Sequence, residues 1–141
     1  MTGSNAGAPR VLVYVDGSDA SMRAVKRAIA LGAAGARLSA LAMIPPKLDR
    51  AVVSQFEIEE DDLDERFAEE AMARATGSIE GAGQRVTAYI DRGPVVECIV
   101  RRGLSGDFDK VLVGRKPGLR YVPDLSDTLR RKPGVPVEVV T

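Results

Sequence analysis

Residues 10–21 read RVLVYVDGSDAS. Val11, Leu12, Val13, Tyr14 and Val15 form an apolar run too short for a helix of its own, and without polar alternation it suits a parallel strand covered on both faces. The run stops at Asp16-Gly17, and Ser18 then offers a side-chain oxygen to cap a following helix. A buried strand that runs out into an acid, a glycine and a helix start is where α/β folds tend to place ligands.

Outward from this stretch the pattern repeats. Ser18 to about Ala34 reads as a helix, with Val25, Ala28, Ile29 and Gly32 on one face and Arg23, Lys26 and Arg27 on the wet side. Arg37–Ile44 (RLSALAMI) is a second apolar strand, ended by Pro45-Pro46, which cannot donate ladder hydrogen bonds. Lys47 to about Ser54 is a loop, and Gln55 to about Ile79 is a long helix. Its apolar stripe is Leu63, Phe67, Ala71, Ala75 and Ile79, and its first half is crowded with acids that suit a helix N-terminus. Those acids lie along one exposed face and are read as solvated, not as a metal site.

Arg85–Ile90 is a third strand with its exit at Asp91-Arg92-Gly93-Pro94. The proline fits the first turn of a helix whose apolar face is Val95, Val96, Ile99, Val100 and Leu104. Cys98 in that helix reads as a buried structural thiol. Asp109–Gly114 is a fourth strand, left through Arg115-Lys116-Pro117-Gly118. A short helix from about Pro123 to Arg131 follows, and then a last strand, Val135–Val140, in which Pro136 argues for a sheet edge. Strands alternating with helices imply right-handed crossovers and a parallel, doubly wound sheet in one domain, residues 10–141, after a disordered lead-in at 1–9.

Composition bounds the chemistry. Twenty basic and twenty acidic residues cancel, which gives no field that favours nucleic acid or an anionic membrane. No apolar run reaches the roughly 18 residues of a transmembrane helix, and a single Cys, which cannot close an intramolecular disulfide, fits a cytoplasmic protein. With no His among 141 residues, Ser-His-Asp and Cys-His catalysis and His-ligated zinc are excluded, and the expectation is of no catalytic residues and no metal.

Taken in order, VLVYVDGSDAS, GARLSALAMIPP with its acidic helix, DRGPVVECIV (with Glu97), FDKVLVG and GVPVEVV resemble the universal stress protein family over nearly the whole chain. The resemblance implies strand order 3-2-1-4-5, a switch point where the Asp16 and Gly114 turns meet, and a stress-response or signalling role. It also implies a candidate nucleotide site of Asp16, Gly17, Ser18, Ile44, Gly114, Arg115, Lys116 and Gly118. ATP-binding members carry Gly-x-x-Gly after the fourth strand and a Gly-Ser or Gly-Thr some nine residues later. Here Gly114 fits the first position, Pro117 stands at the second glycine, and Pro123-Asp124 stands at the Gly-Ser after a shorter loop. A proline has no N–H to offer a phosphate, and Asp124 brings a carboxylate to the anion's place. The expectation is therefore a binding module that does not hold ATP tightly. The alternatives are an ATP-binding member or a nucleotide hydrolase related to the ATP pyrophosphatases. A receiver domain phosphorylated on Asp91, with Lys116 near it, is a further one. Asp16 and Gly114 each have a plain structural reading: a turn cap, and a glycine allowing φ > 0 at a strand exit. Val135, Val137 and Val139, alternating with Pro136 and Glu138 on an open edge, point to a homodimer through the final strand.

Overall fold

The computed structural model describes residues 7–45, 60–116 and 124–141. The first strand, β1 (Arg10–Tyr14), lies in the middle of a five-stranded sheet. Val11, Val13 and Val15 point to one side of it and Leu12 and Tyr14 to the other, and the apolar side chains of each side enter a separate core cluster. This is why the run has no polar alternation: both faces are covered.

The remaining elements are α1 (Asp19–Ala33), β2 (Arg37–Ile44), α2 (Glu60–Gly81), β3 (Val86–Arg92), α3 (Val95–Leu104), β4 (Lys110–Gly114), α4 (Leu125–Arg130) and β5 (Val137–Val140). The sheet is parallel throughout, in the order β3-β2-β1-β4-β5. On one face α1 and α2 pack Val25, Ala28, Met72, Ala75 and Ile79 against Val11, Val13 and Val15. On the other, α3 and α4 bring Cys98, Ile99 and Leu129 to Leu12, Leu41, Val111 and Val113. The expected doubly wound architecture, with helices on both faces, is present.

Several local expectations are corrected. The buried stripe of α2 is Ala68, Ala71, Met72, Ala75 and Ile79, whereas Leu63 and Phe67 are 47% and 59% exposed. A strict four-residue spacing drifts about 40° per step on a helix of 3.6 residues per turn, so the stripe has already left the sheet at Phe67, one step before Ala71. The 47–59 part of the expected loop and helix lies outside the described residues. Asp91 and Arg92 belong to β3, paired with Met43 and Ile44, and Pro94 is the N-cap of α3, outside its first turn. Leu104 is exposed instead of joining that helix's apolar face. The last strand starts at Val137, because Val135 packs against Gly103 of α3 and Pro136 supplies only its carbonyl to the Val111 N–H, at 2.8 Å. Of the expected lead-in, residues 1–6 lie outside the described residues, while the carbonyl of Pro9 accepts the Arg37 N–H at 2.8 Å.

Candidate functional site

The β1 exit is built by local chemistry. Asp16 Oδ1 accepts the Ser18 N–H at 3.0 Å and the Ser18 hydroxyl at 2.5 Å, an Asx turn that swings the chain into α1. Ser18 is the N-cap: its backbone is extended, and its Oγ accepts the Ser21 N–H at 3.1 Å. Gly17 between them has φ +81°, a left-handed conformation that glycine adopts without strain. Its carbonyl accepts from Arg74 of α2 at 3.2 Å, which pins the turn to the neighbouring layer.

The β4 exit meets this turn from the next strand. Lys116 Nζ forms an ion pair with Asp16 Oδ2, so one salt bridge spans the switch point. Partial burial works against the charge of Asp16. Lys116 and the hydroxyl and amide of Ser18 outweigh it and hold the carboxyl below its ordinary range. Tyr14, on the same strand, has its phenol pushed upward by burial and by the charge of Asp16. Arg115 donates its N–H to Val140 at 2.8 Å, and its carbonyl accepts from Arg23 of α1 at 2.9 Å.

Gly114 has a different explanation from the one its position suggested. It has no positive φ; instead a Cβ there would lie 1.9 Å from the backbone oxygen of Ala20 and 2.4 Å from its carbonyl carbon. The start of α1 rests directly on β4, and only a residue without a side chain leaves room for it.

Across the loop, Asp124 caps α4. Its Oδ2 accepts the hydroxyl of Ser126 and, at 3.4 Å each, the N–H groups of Ser126 and Lys116. Its partial burial is outweighed by these donors, so its carboxyl also lies below the ordinary range. The helix start that would attract an anion is thus served by a carboxylate of the chain itself. Ile44 ends β2 three residues beyond Leu41, the partner of Tyr14, so it lies beside the Asp16 turn; its side chain is buried and its carbonyl accepts the Gly93 N–H at 3.0 Å. Gly118, with Pro117 and Pro123, lies outside the described residues.

The fold therefore brings Asp16, Gly17, Ser18, Ile44, Gly114, Arg115 and Lys116 to one end of the sheet. Asp91 comes to the same end, level with Met43, but not beside these residues. Asp91 is on the edge strand, two strands from Asp16, and makes a two-pronged contact with Arg102 at 2.7 and 2.9 Å. Arg102, stacked 4.3 Å over the Tyr89 ring, holds the Asp91 carboxyl below its usual range. The receiver arrangement needs Asp91 and Lys116 together, and Lys116 is on Asp16. Among the described residues no cluster of His, Cys, Asp or Glu is suited to hold a metal ion, and no helix is long and apolar enough to cross a membrane. Arg74 is not singled out by the sequence; its only signal is its place one turn after Ala71, which is buried.

A sequence profile of the universal stress protein family matches residues 8–141. No curated protein matches the chain. Among solved structures, universal stress protein UspA from Lactobacillus plantarum has a TM-score of 0.74 at 20% identity, covering 94% of this chain and 97% of that one. A universal stress family protein from Burkholderia pseudomallei gives 0.70 at 19% identity, covering 93% and 94%. A universal stress protein crystallised in complex with cAMP gives 0.67 at 21% identity, covering 94% and 97%. At such identities the structural likeness speaks for the fold, and the sequence match for the family: the chain belongs to the universal stress protein family.

Proposed function

We propose that this chain is a stress-response or signalling module of the cytoplasm that binds without turnover, and whose switch point does not hold ATP tightly. The observation that carries this reading is the self-satisfied charge at the site. Lys116 is committed to Asp16, and Asp124 occupies the N-terminus of α4 while drawing on the Lys116 N–H. A triphosphate would have to displace one carboxylate and separate an ion pair before gaining any contact. The lack of turnover rests on the chain's chemistry, which has no His and no assigned nucleophile–base pair.

A second reading, ATP or a related nucleotide held by the Asp16 and Gly114 turns, is favoured by one feature. Asp16 stays anionic at the β1 exit, placed to accept from a ribose or base, and Arg115 is exposed beside it. Calorimetric titration with ATP separates the two. The expected result is no micromolar binding that depends on Asp16, and a gain in affinity on Asp124→Ser, which keeps an N-cap oxygen but removes the competing charge. Micromolar binding by the unaltered protein that Asp16→Ala abolishes would establish the second reading instead.

The same proposal includes a homodimer through the open edge of β5. Val137 and Val139 lie in that strand, whereas Val135 is engaged with α3. Glu138 faces the other way, bonded to Arg27 and Lys110 at 2.9 Å each. Sedimentation equilibrium should give a dimer in the micromolar range, and a monomer throughout would reject it.

A further inference from the structure

We propose that the opposite end of the sheet, at the starts of β1, β2 and β3, is a second binding site that takes a compact polyphosphate group. Its basis is a row of arginines. Arg10 pairs in register with Arg37, and Arg85 immediately precedes Val86, the partner of Leu38. Three guanidinium groups therefore leave adjacent strands on one face, at steps of about 4.8 Å. Like charges side by side on a sheet are unfavourable, so the row invites an anion.

These residues line one open groove of about 1000 Å³, together with Ser39, Thr87 and Phe108. At the starts of β2 and β3 the groove is open to solvent: Arg37, Arg85 and Thr87 are all exposed. The charges within it are unevenly matched. Arg10 is held by Asp109, through its backbone N–H at 2.8 Å and its guanidinium at 3.2 and 3.3 Å, and Asp107 also lines the groove. Arg102 at the far wall is committed to Asp91. Among the described residues, the guanidinium groups of Arg37 and Arg85 have neither a hydrogen-bond partner nor a carboxylate, and both residues are exposed.

The donor set selects the ligand class. Two free planar forks match phosphate oxygens in pairs, and their charge assists each bond. Ser39 and Thr87, in register with one another one step along the strands, add neutral hydroxyl donors behind the arginines. A single monoanion would leave one fork unserved, whereas linked phosphates can bridge neighbouring strands. The groove's size is that of a small-molecule site.

The site lies at the other end of the strands from Asp16 and Lys116, so it stands or falls independently of the proposed function. Calorimetry with inorganic triphosphate at low ionic strength, on the unaltered protein and on Arg37→Gln/Arg85→Gln, tests it. Binding should weaken by roughly tenfold or more in the double variant, the scale for lost charged hydrogen bonds, and should be unchanged in Lys116→Ala. ATP in parallel distinguishes the source: equal affinity assigns the phosphate chain alone, and tighter ATP binding that survives Asp16→Ala assigns a nucleotide. The double variant should melt at the same temperature or higher, since two adjacent like charges are gone. No heat with triphosphate, or undiminished binding in the double variant, would overturn the proposal. So would self-association that the double variant abolishes, because the row would then be an interface between copies.

Discussion

Gly114→Ala is expected to destabilise the protein by about 3 kcal/mol, the upper end of what overpacking costs. The added methyl would meet Ala20 O at 1.9 Å, Ala20 C at 2.4 Å and Ser21 N at 3.1 Å, all backbone atoms of the first turn of α1. A flexible side chain could swing away; a helix start cannot, because Ser18 and Asp16 fix it to the β1 exit. Gly77→Ala is the matched control. Nothing lies within 4 Å of its Cβ position, it sits in the exposed interior of α2, and the change should stabilise by about 0.5–1 kcal/mol. Urea midpoints for both variants check this, and a Gly114→Ala loss below about 1 kcal/mol would show that α1 does not rest on β4. The consequence for the site is direct. Gly114 has a packing role that any member with this helix–strand contact needs, so its presence carries no information about phosphate binding.

Leu12→Ala is expected to cost about 2–5 kcal/mol, while Phe67→Ala changes stability by no more than about 0.5 kcal/mol. Leu12 is fully buried on the central strand, enclosed by Leu41, Ile99 and Val111, and has neighbours on every side that cannot close the resulting cavity. Phe67 is the larger side chain, yet 59% of it faces solvent. A regular four-residue stripe would put Phe67 in the core and predict a loss of several kcal/mol for it. Thermal or chemical melting of the two variants therefore discriminates between the periodic pattern and the observed packing; equal losses would restore the pattern.

The parts of the site that were legible in the sequence are those made by neighbours along the chain. Asp16, Gly17 and Ser18 form a turn from three consecutive residues: a carboxylate that accepts two residues on, a glycine for positive φ, and a hydroxyl that caps a helix. Asp124 before Leu125 reads as a cap for the same reason, and its conflict with an incoming anion follows from its charge alone. What remained hidden involves residues far apart. The partner of Asp16 is 100 positions away, and nothing in Arg115-Lys116 says which of the two cations turns inward. Arg74 reaches Gly17 only because α2 crosses above the β1 exit.

The same division runs through the whole protein. Apolar runs of strand length, glycines and prolines at their ends, and one helix period after each strand determined the alternation, the parallel sheet and the family, because each is a local preference summed over a few residues. Even the arginines that open RVLVY, RLSALAMI and RVTAYI are visible in the primary structure. Only strand pairing decides that they stand side by side, since register depends on which strands become neighbours. Tertiary structure likewise decided that Gly114 yields its space to a helix and that Lys116 occupies Asp16. These are contacts between segments, and their energies depend on distances that the order of residues along the chain does not contain.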